Sequence, residues 1–351
     1  ASLTKCKKNA DDPLPDREGR LHYVWAYALP PTEFTAMASY FLGVDGGASK
    51  TAALVTDEQG SPLGRGLAGG SNHLRVGIET ATRNIERAVN IALVEAGVAI
   101  KQVEYAYCGI AGSDHPDHHE RVVESLRIFF PGGNFIVDTD ARIALTGAIG
   151  FGAGVVVISG TGSVAFGRND EGSETRAGGW GPTLGDEGSG YGIARDGLAA
   201  IVRAHDGRGP ATRMTEMLCF EYGMCDPGDL PRFVYAATTH ADDIARYGKV
   251  VMDAAGAGDA VAREILERAG RELAQCVLAV AAKLQMTETA FPVAYVGGAF
   301  HAGELLLDPM RRVIAEGAAR AHLVKPQRAP VEGAAMMAIQ AAQKPRQARR
   351  G

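Results

Sequence analysis

The residues best suited to chemistry are gathered in residues 178–190, where glycines surround Trp180, Asp186, Glu187 and Ser189. Glycine costs roughly 0.5–1 kcal/mol of ordering relative to alanine inside an element, so this density implies backbone that passes close to a ligand. A flat aromatic beside two carboxylates suits a hydroxyl-rich molecule. Two further glycine turns, residues 45–50 (Asp-Gly-Gly-Ala-Ser-Lys) and 159–163 (Ser-Gly-Thr-Gly-Ser), each follow an apolar run. Such turns gather backbone N–H groups into one concavity and so match an anionic phosphate. Gly47, Ser49 and Lys50 of the first and Thr161 and Gly162 of the second are the expected cradle. Asp45 and Asp140 are expected near a hydrated Mg²⁺ on a nucleotide triphosphate, Asp45 reaching the ion through water. A third glycine pair, Gly297 and Gly298, closes a late strand where it can approach a base or ribose. A P-loop would need glycine where Val44 and Ser49 stand, and a Rossmann turn at 160–165 would need a helix where residues 164–166 read as strand.

The elements that must hold these turns repeat. Residues 40–44, 51–56 and 62–68 read as three strands, the first two joined as a hairpin by the glycine turn. A helix of about twenty residues follows from Ile78, with Ile78, Ala81, Ile85, Ala88, Val89 and Ala92 on one stripe. Then come a strand at 104–110, a helix at 117–129, a strand at 134–137 and a short helix opening at Asp140. The same order returns: strands at 155–158, 164–167 and up to 177, and a helix from Glu187. After a helical insertion through Lys283 come a strand at 293–296, a helix at 303–317, a strand at 321–324 and a helix from Glu332. This is an internal duplication, and it sets one glycine hairpin from each half against the other across a cleft. The expected division is an extension at 1–38, with Met37 a natural start, an N-terminal lobe at 39–150, a C-terminal lobe with the insertion at 151–343 and a basic tail at 344–351.

With 351 residues, 46% hydrophobic and 22% charged, the chain is sized for about two globular domains with ample core. A net charge of −5 with scattered basic residues argues against nucleic acid as a partner. Five cysteines without a CxxC pair indicate neither a disulfide framework nor a zinc site, and no apolar run approaches a membrane span. The expectation is a cytoplasmic protein with no membrane partner.

Eight segments, taken together, resemble a known family: Gly43-Val-Asp-Gly-Gly-Ala-Ser-Lys-Thr51, Ser71-Asn-His73, Thr139-Asp-Ala141, Ile158-Ser-Gly-Thr-Gly-Ser163, Gly178-Gly-Trp-Gly181, Gly185-Asp-Glu-Gly-Ser189, Val296-Gly-Gly298 and Val331-Glu-Gly-Ala334. They are similar to the actin-like sugar kinases. The specific match is to N-acetylglucosamine kinases and the bacterial relatives grouped with the activator ATPases of benzoyl-CoA reductase and 2-hydroxyglutaryl-CoA dehydratase. The resemblance implies an α/β, duplicated actin-like (ribonuclease H-like) ATPase fold with an ATP/sugar cleft between two lobes. It further implies ATP with Mg²⁺, a small-molecule amino sugar as acceptor, and a homodimer. Asp140 matches the general base that takes the proton of the sugar 6-hydroxyl, with Asp138 the lesser candidate. Asn72, Ser163, Val164, Gly179, Trp180, Gly181 and Asp186 match sugar-side positions. Ser49, Thr161, Ala255, Gly298 and Ala302 match positions that contact ATP. The alternatives are glucosamine, N-acetylmuramate or glucose as acceptor, or a nucleotide switch without a sugar. The iron–sulfur activators carry cysteines beside their glycine motifs; residues 159–163 contain none, which disfavours that branch.

Residues 114–119 (Asp-His-Pro-Asp-His-His) mimic a metal cluster. The spacing suits a helix start instead, with Ser113 or Asp114 as the cap and His118 and His119 solvated.

Overall fold

The structure is a computed structural model that describes residues 39–343 apart from 131, 224 and 225. The expectations for 1–38 and 344–351 lie outside the described residues. The first repeat runs β1 (Tyr40–Gly46), β2 (Lys50–Thr56), β3 (Pro62–Gly69), α1 (His73–Val76), α2 (Ile78–Ala96), β4 (Val103–Ile110), α3 (Pro116–Arg127), β5 (Phe135–Asp138) and α4 (Asp140–Ile149). The second begins with β6 (Gly154–Ser159), β7 (Ser163–Arg168), β8 (Glu174–Gly178) and α5 (Gly190–His205). The inserted helices are α6 (Met214–Tyr222), α7 (Leu230–Val234), α8 (Ala241–Ala245), α9 (Gly248–Gly256) and α10 (Ala260–Lys283). β9 (Pro292–Val296), α11 (Glu304–Gly317), β10 (His322–Val324) and α12 (Pro330–Gln343) complete it.

The duplication is plain in the sheets, ordered β3-β2-β1-β4-β5 and β8-β7-β6-β9-β10. In each, the central strand pairs antiparallel with the next strand across a glycine turn and parallel with the strand after the helix. The stripe on α2 covers one face of the first sheet, where Ile85, Ala88 and Val89 meet Leu42, Val44 and Cys108. The equivalent face of the second sheet is covered by α5, α9, α10 and α11. Among the described residues no helix is long and apolar enough to cross a membrane.

The last helix of each repeat is exchanged, packing on the sheet of the other repeat. Ala144, Leu145 and Ala148 of α4 pack on Val156, Phe166 and Ala294 of the second sheet. Ala334, Met337 and Ala338 of α12 pack on Phe41 and Tyr107 of the first. The two helices cross with backbones touching: a Cβ on Gly333 would lie 2.1 Å from the Ile143 carbonyl oxygen and 2.5 Å from the Gly147 nitrogen. Only glycine permits that approach. One element was not foreseen, the single turn α1, because four residues carry too little pattern to show a period.

Gly333→Ala is therefore expected to destabilise the protein by about 3 kcal/mol, since neither backbone can retreat. Gly152→Ala, whose added Cβ meets nothing within 4 Å, is the control and should change stability by less than about 0.5 kcal/mol. Urea unfolding monitored by circular dichroism reads both.

Candidate active site

In a parallel sheet, ligands collect beyond the carboxyl ends of the strands. β1, β4 and β5 are parallel, with Asp45 opposite Gly109 and Gly109 opposite Asp138, so their C-terminal ends fall side by side. Asp45 is the penultimate residue of β1, Asp114 follows β4, and Asp140 opens α4 with only Thr139 between it and β5. Burial pushes the Asp140 carboxyl up to about 7, and the carboxylates of Asp45 and Asp114 add to the rise. The backbone N–H groups of Asp140 and Ala141 pull the other way and lose. Asp140 nevertheless keeps part of its surface open, being only half-buried. Asp45 is pushed up to about 6 by burial, partly offset by Lys50.

Asp138 has a different fate two residues away. It accepts from the Tyr107 hydroxyl and from Arg142, and its other oxygen accepts from the Thr139 backbone nitrogen at 2.7 Å. Arg142 continues the network to Glu174 of β8. The N-cap of α4 is Thr139, whose hydroxyl accepts from the Arg142 backbone nitrogen at 3.4 Å, which leaves Asp140 in the first turn.

Residues 178–190 are stitched to the second glycine turn. The Ser159 and Ser163 hydroxyls donate to the carbonyls of Gly188 (2.8 Å) and Glu187 (2.7 Å), and the Gly190 nitrogen donates to the Gly160 carbonyl at 2.8 Å. Asp186 sits at φ 62, a left-handed conformation rare for a residue with a side chain. Only 7% exposed, it accepts from the Ser163 nitrogen at 3.3 Å and from the Gly181 nitrogen, and lies against Gly162, where a Cβ would come within 2.8 Å of it. Burial raises its pKa against those two donors. Trp180 is 66% exposed, with the Arg176 guanidinium 5.2 Å from its ring centre. Arg176 also donates to the Gly179 carbonyl at 3.2 Å, and Val164 packs beneath Gly179. On the first lobe, the backbone nitrogen of Asn72 donates to the Gly47 carbonyl at 3.2 Å, and its side-chain oxygen accepts from Leu74 at 3.1 Å.

A cleft of about 990 Å³ opens beside the turns. Ser49, Thr161, Gly298 and Ala302 all line it, so the three glycine segments meet at one cavity. Asp45, Gly47, Lys50 and Gly162 are not part of its wall, nor are Asn72, Asp140, Trp180 and Asp186. Ala255 faces inward as part of the hydrophobic core, and Gly256 lines the cavity in its stead. Tyr222, Asp242, Arg246, Lys249 and Met252 complete much of the wall. These were missed because they lie on the insertion, whose pattern announces helices without revealing where they dock. Asp114 is masked for the opposite reason: in the sequence it stands among histidines, which hides the strand end it follows.

The histidine segment does start a helix, with different details. The cap of α3 is His115, whose Nδ1 accepts from the Asp117 nitrogen at 3.3 Å; Ser113 instead donates to the carbonyls of Ile110 and Asp138. His119 is not simply solvated, for its ring nitrogen meets the Val137 carbonyl at 3.0 Å, and His118 packs edge-on against buried His73.

The model of the BadF/BadG/BcrA/BcrD ATPase family matches residues 42–338. Over 275 residues the chain is 32% identical to an N-acetylmuramic acid/N-acetylglucosamine kinase of Clostridium acetobutylicum, spanning 78% of this chain and 90% of that protein. Over 311 residues it is 32% identical to an N-acetyl-D-glucosamine kinase of Dictyostelium discoideum, spanning 85% and 97%. A solved structure from Chromobacterium violaceum, described as a candidate N-acetylglucosamine kinase, superposes with a TM-score of 0.71 at 26% identity over 87% of this chain and 99% of that one. The chain belongs to the BadF/BadG/BcrA/BcrD ATPase family and has the duplicated actin-like ATPase fold.

Proposed function

We propose that this protein transfers the γ-phosphoryl group of ATP to the 6-hydroxyl of N-acetylglucosamine, with Asp140 as general base. The observation that carries the reading is the Asp140 carboxyl, held at the strand ends with a proton affinity near neutrality while Asp138 is consumed by Tyr107 and Arg142. A base works best when its pKa lies near the operating pH, so that it is largely ionised yet still basic enough to take a proton. The two relatives at 32% identity are named for N-acetylated amino sugars, against 23% for one named a glucosamine kinase, which favours the N-acetylated acceptor over glucosamine or glucose.

In this reading the triphosphate lies over the backbone of the two glycine turns, with the base and ribose in the 990 Å³ cleft against Gly298 and Ala302. Asn72 uses its oxygen as a helix cap, so its amide N–H is the group turned to a sugar hydroxyl. Asp186 has two backbone donors and retains lone pairs for hydroxyl donors. Trp180, braced by Arg176, offers an apolar face to the ring. The sugar 6-hydroxyl gives its proton to an Asp140 oxygen as its own oxygen bonds to phosphorus, and the bond to the ADP oxygen breaks on the opposite side. The hard oxygen donors of Asp45 and Asp140 fit Mg²⁺, with Asp45 the residue that would hold it through water; when bound, the ion neutralises charge on the phosphates.

ADP release by the purified protein, measured with N-acetylglucosamine, N-acetylmuramate, glucosamine and glucose, tests this reading. N-acetylglucosamine should give the highest kcat/KM, and ATP hydrolysis indifferent to every sugar would instead mark a nucleotide switch. Asp140→Asn should lower kcat by roughly 10²–10⁴-fold while an ATP analogue still binds; turnover near the wild-type level would remove Asp140 from the role of base.

The pH profile has a definite sign. The base must be ionised, and its pKa is raised to about 7, so kcat/KM should level off above that pH and fall below it. At pH 6 the rate should be roughly a tenth of the plateau, and a flat profile between pH 6 and 8 would contradict the assignment.

A further inference from the structure

The helix α1 is a single turn, and an isolated turn does not hold itself because its nucleation fixes several dihedrals for one hydrogen bond. It is held from both ends. At its start, the nitrogens of Ser71 and Asn72 donate to the Gly47 carbonyl at 3.0 and 3.2 Å, which ties the turn to the first glycine hairpin. At its end, Arg75 reaches the other lobe and pairs with Asp242 of α8. Asp242 is itself part of the wall of the nucleotide-sized cleft. The two side chains are 23% and 29% exposed, so salt screens this pair less than a fully solvated one. Arg75 lies between β3 and α2, and Asp242 between β8 and β9. Their meeting therefore depends on how far apart the lobes stand.

We propose that Arg75 and Asp242 form a positioning pair that couples the sugar side of the cleft to the nucleotide cavity. This rests on the function proposed above. A sugar seated on Asn72 fixes α1, α1 fixes Arg75, and Arg75 holds the Asp242 segment of the cavity wall in place. The nucleotide acts through the same contacts in reverse, as linkage requires. Neither residue touches the reacting atoms, so the effect belongs to binding and to the assembly of the ternary complex.

The test is calorimetric titration of a non-hydrolysable ATP analogue with Mg²⁺, in the absence and presence of saturating N-acetylglucosamine. In the wild-type protein the sugar should tighten nucleotide binding by a factor within roughly 5–150. Arg75→Gln should cut that factor about fivefold, the size of one modest coupling interaction. Adding Asp242→Asn should cut it no further, because the pair is already broken. Exchanging the charges, Arg75→Asp with Asp242→Arg, should restore part of the coupling, and it keeps the test decisive if Arg75→Gln unravels α1. The factor should shrink with rising salt in the wild type more than in Arg75→Gln. A coupling factor unchanged in Arg75→Gln, with both ligands still bound, overturns this inference and leaves the kinase reading intact. A wild-type protein that binds no sugar overturns the kinase reading and this inference with it.

Discussion

The structure depends on one close contact, the crossing of α4 and α12 at Gly147 and Gly333, where two helix backbones meet with no side chain between them. Each helix is packed on the sheet of the opposite repeat, so the crossing is the place where both lobes are held at once. Asp140 stands in the first turn of α4, seven residues before Gly147. Any rotation of one lobe about the crossing thus moves the carboxyl that stands at the strand ends. The arrangement joins packing to chemistry through a rigid element, since backbone in van der Waals contact cannot absorb a shift as a flexible side chain would.

Two aspartates two residues apart show how environment assigns roles. Asp138 is paired with a guanidinium and accepts from a phenol and a backbone nitrogen, so three donors already converge on it. Asp140 has only backbone donors and faces the fields of Asp45 and Asp114, so desolvation dominates and the proton is held more tightly. The difference follows from the turn between strand and helix. Asp138 ends the strand on the side of Tyr107, and Thr139 takes over the helix cap, which frees the carboxyl of Asp140 from that task.

The repeat and the hairpins were legible in the sequence because buried strands and two-sided glycine turns leave strong local marks, and β1 to β3 and β6 to β8 fall where the pattern puts them. The convergence of Ser49, Thr161 and Gly298 was legible too, since duplication dictates which turns face one another. What stayed hidden is set by tertiary contact. Nothing local distinguishes a helix that packs on its own sheet from one exchanged to the other, as α12 is. The inward turn of Ala255 and the outward turn of Gly256 differ by one step around α9, within the uncertainty of any helical phase. Arg75 and Asp242 are separated by 167 positions, and no spacing rule relates them.

Asp186 bears on how this protein can change over time. Its left-handed backbone is a conformation in which almost any side chain is a burden and glycine is at ease. Drift toward greater stability would therefore favour glycine at this site, in a loop where Gly178, Gly179, Gly181 and Gly188 already occupy the same region of backbone space. This chain nevertheless carries an aspartate there. The strained backbone is offset locally by the two backbone N–H groups that the carboxylate accepts from, those of Ser163 and Gly181, which tie the loop to the second glycine turn.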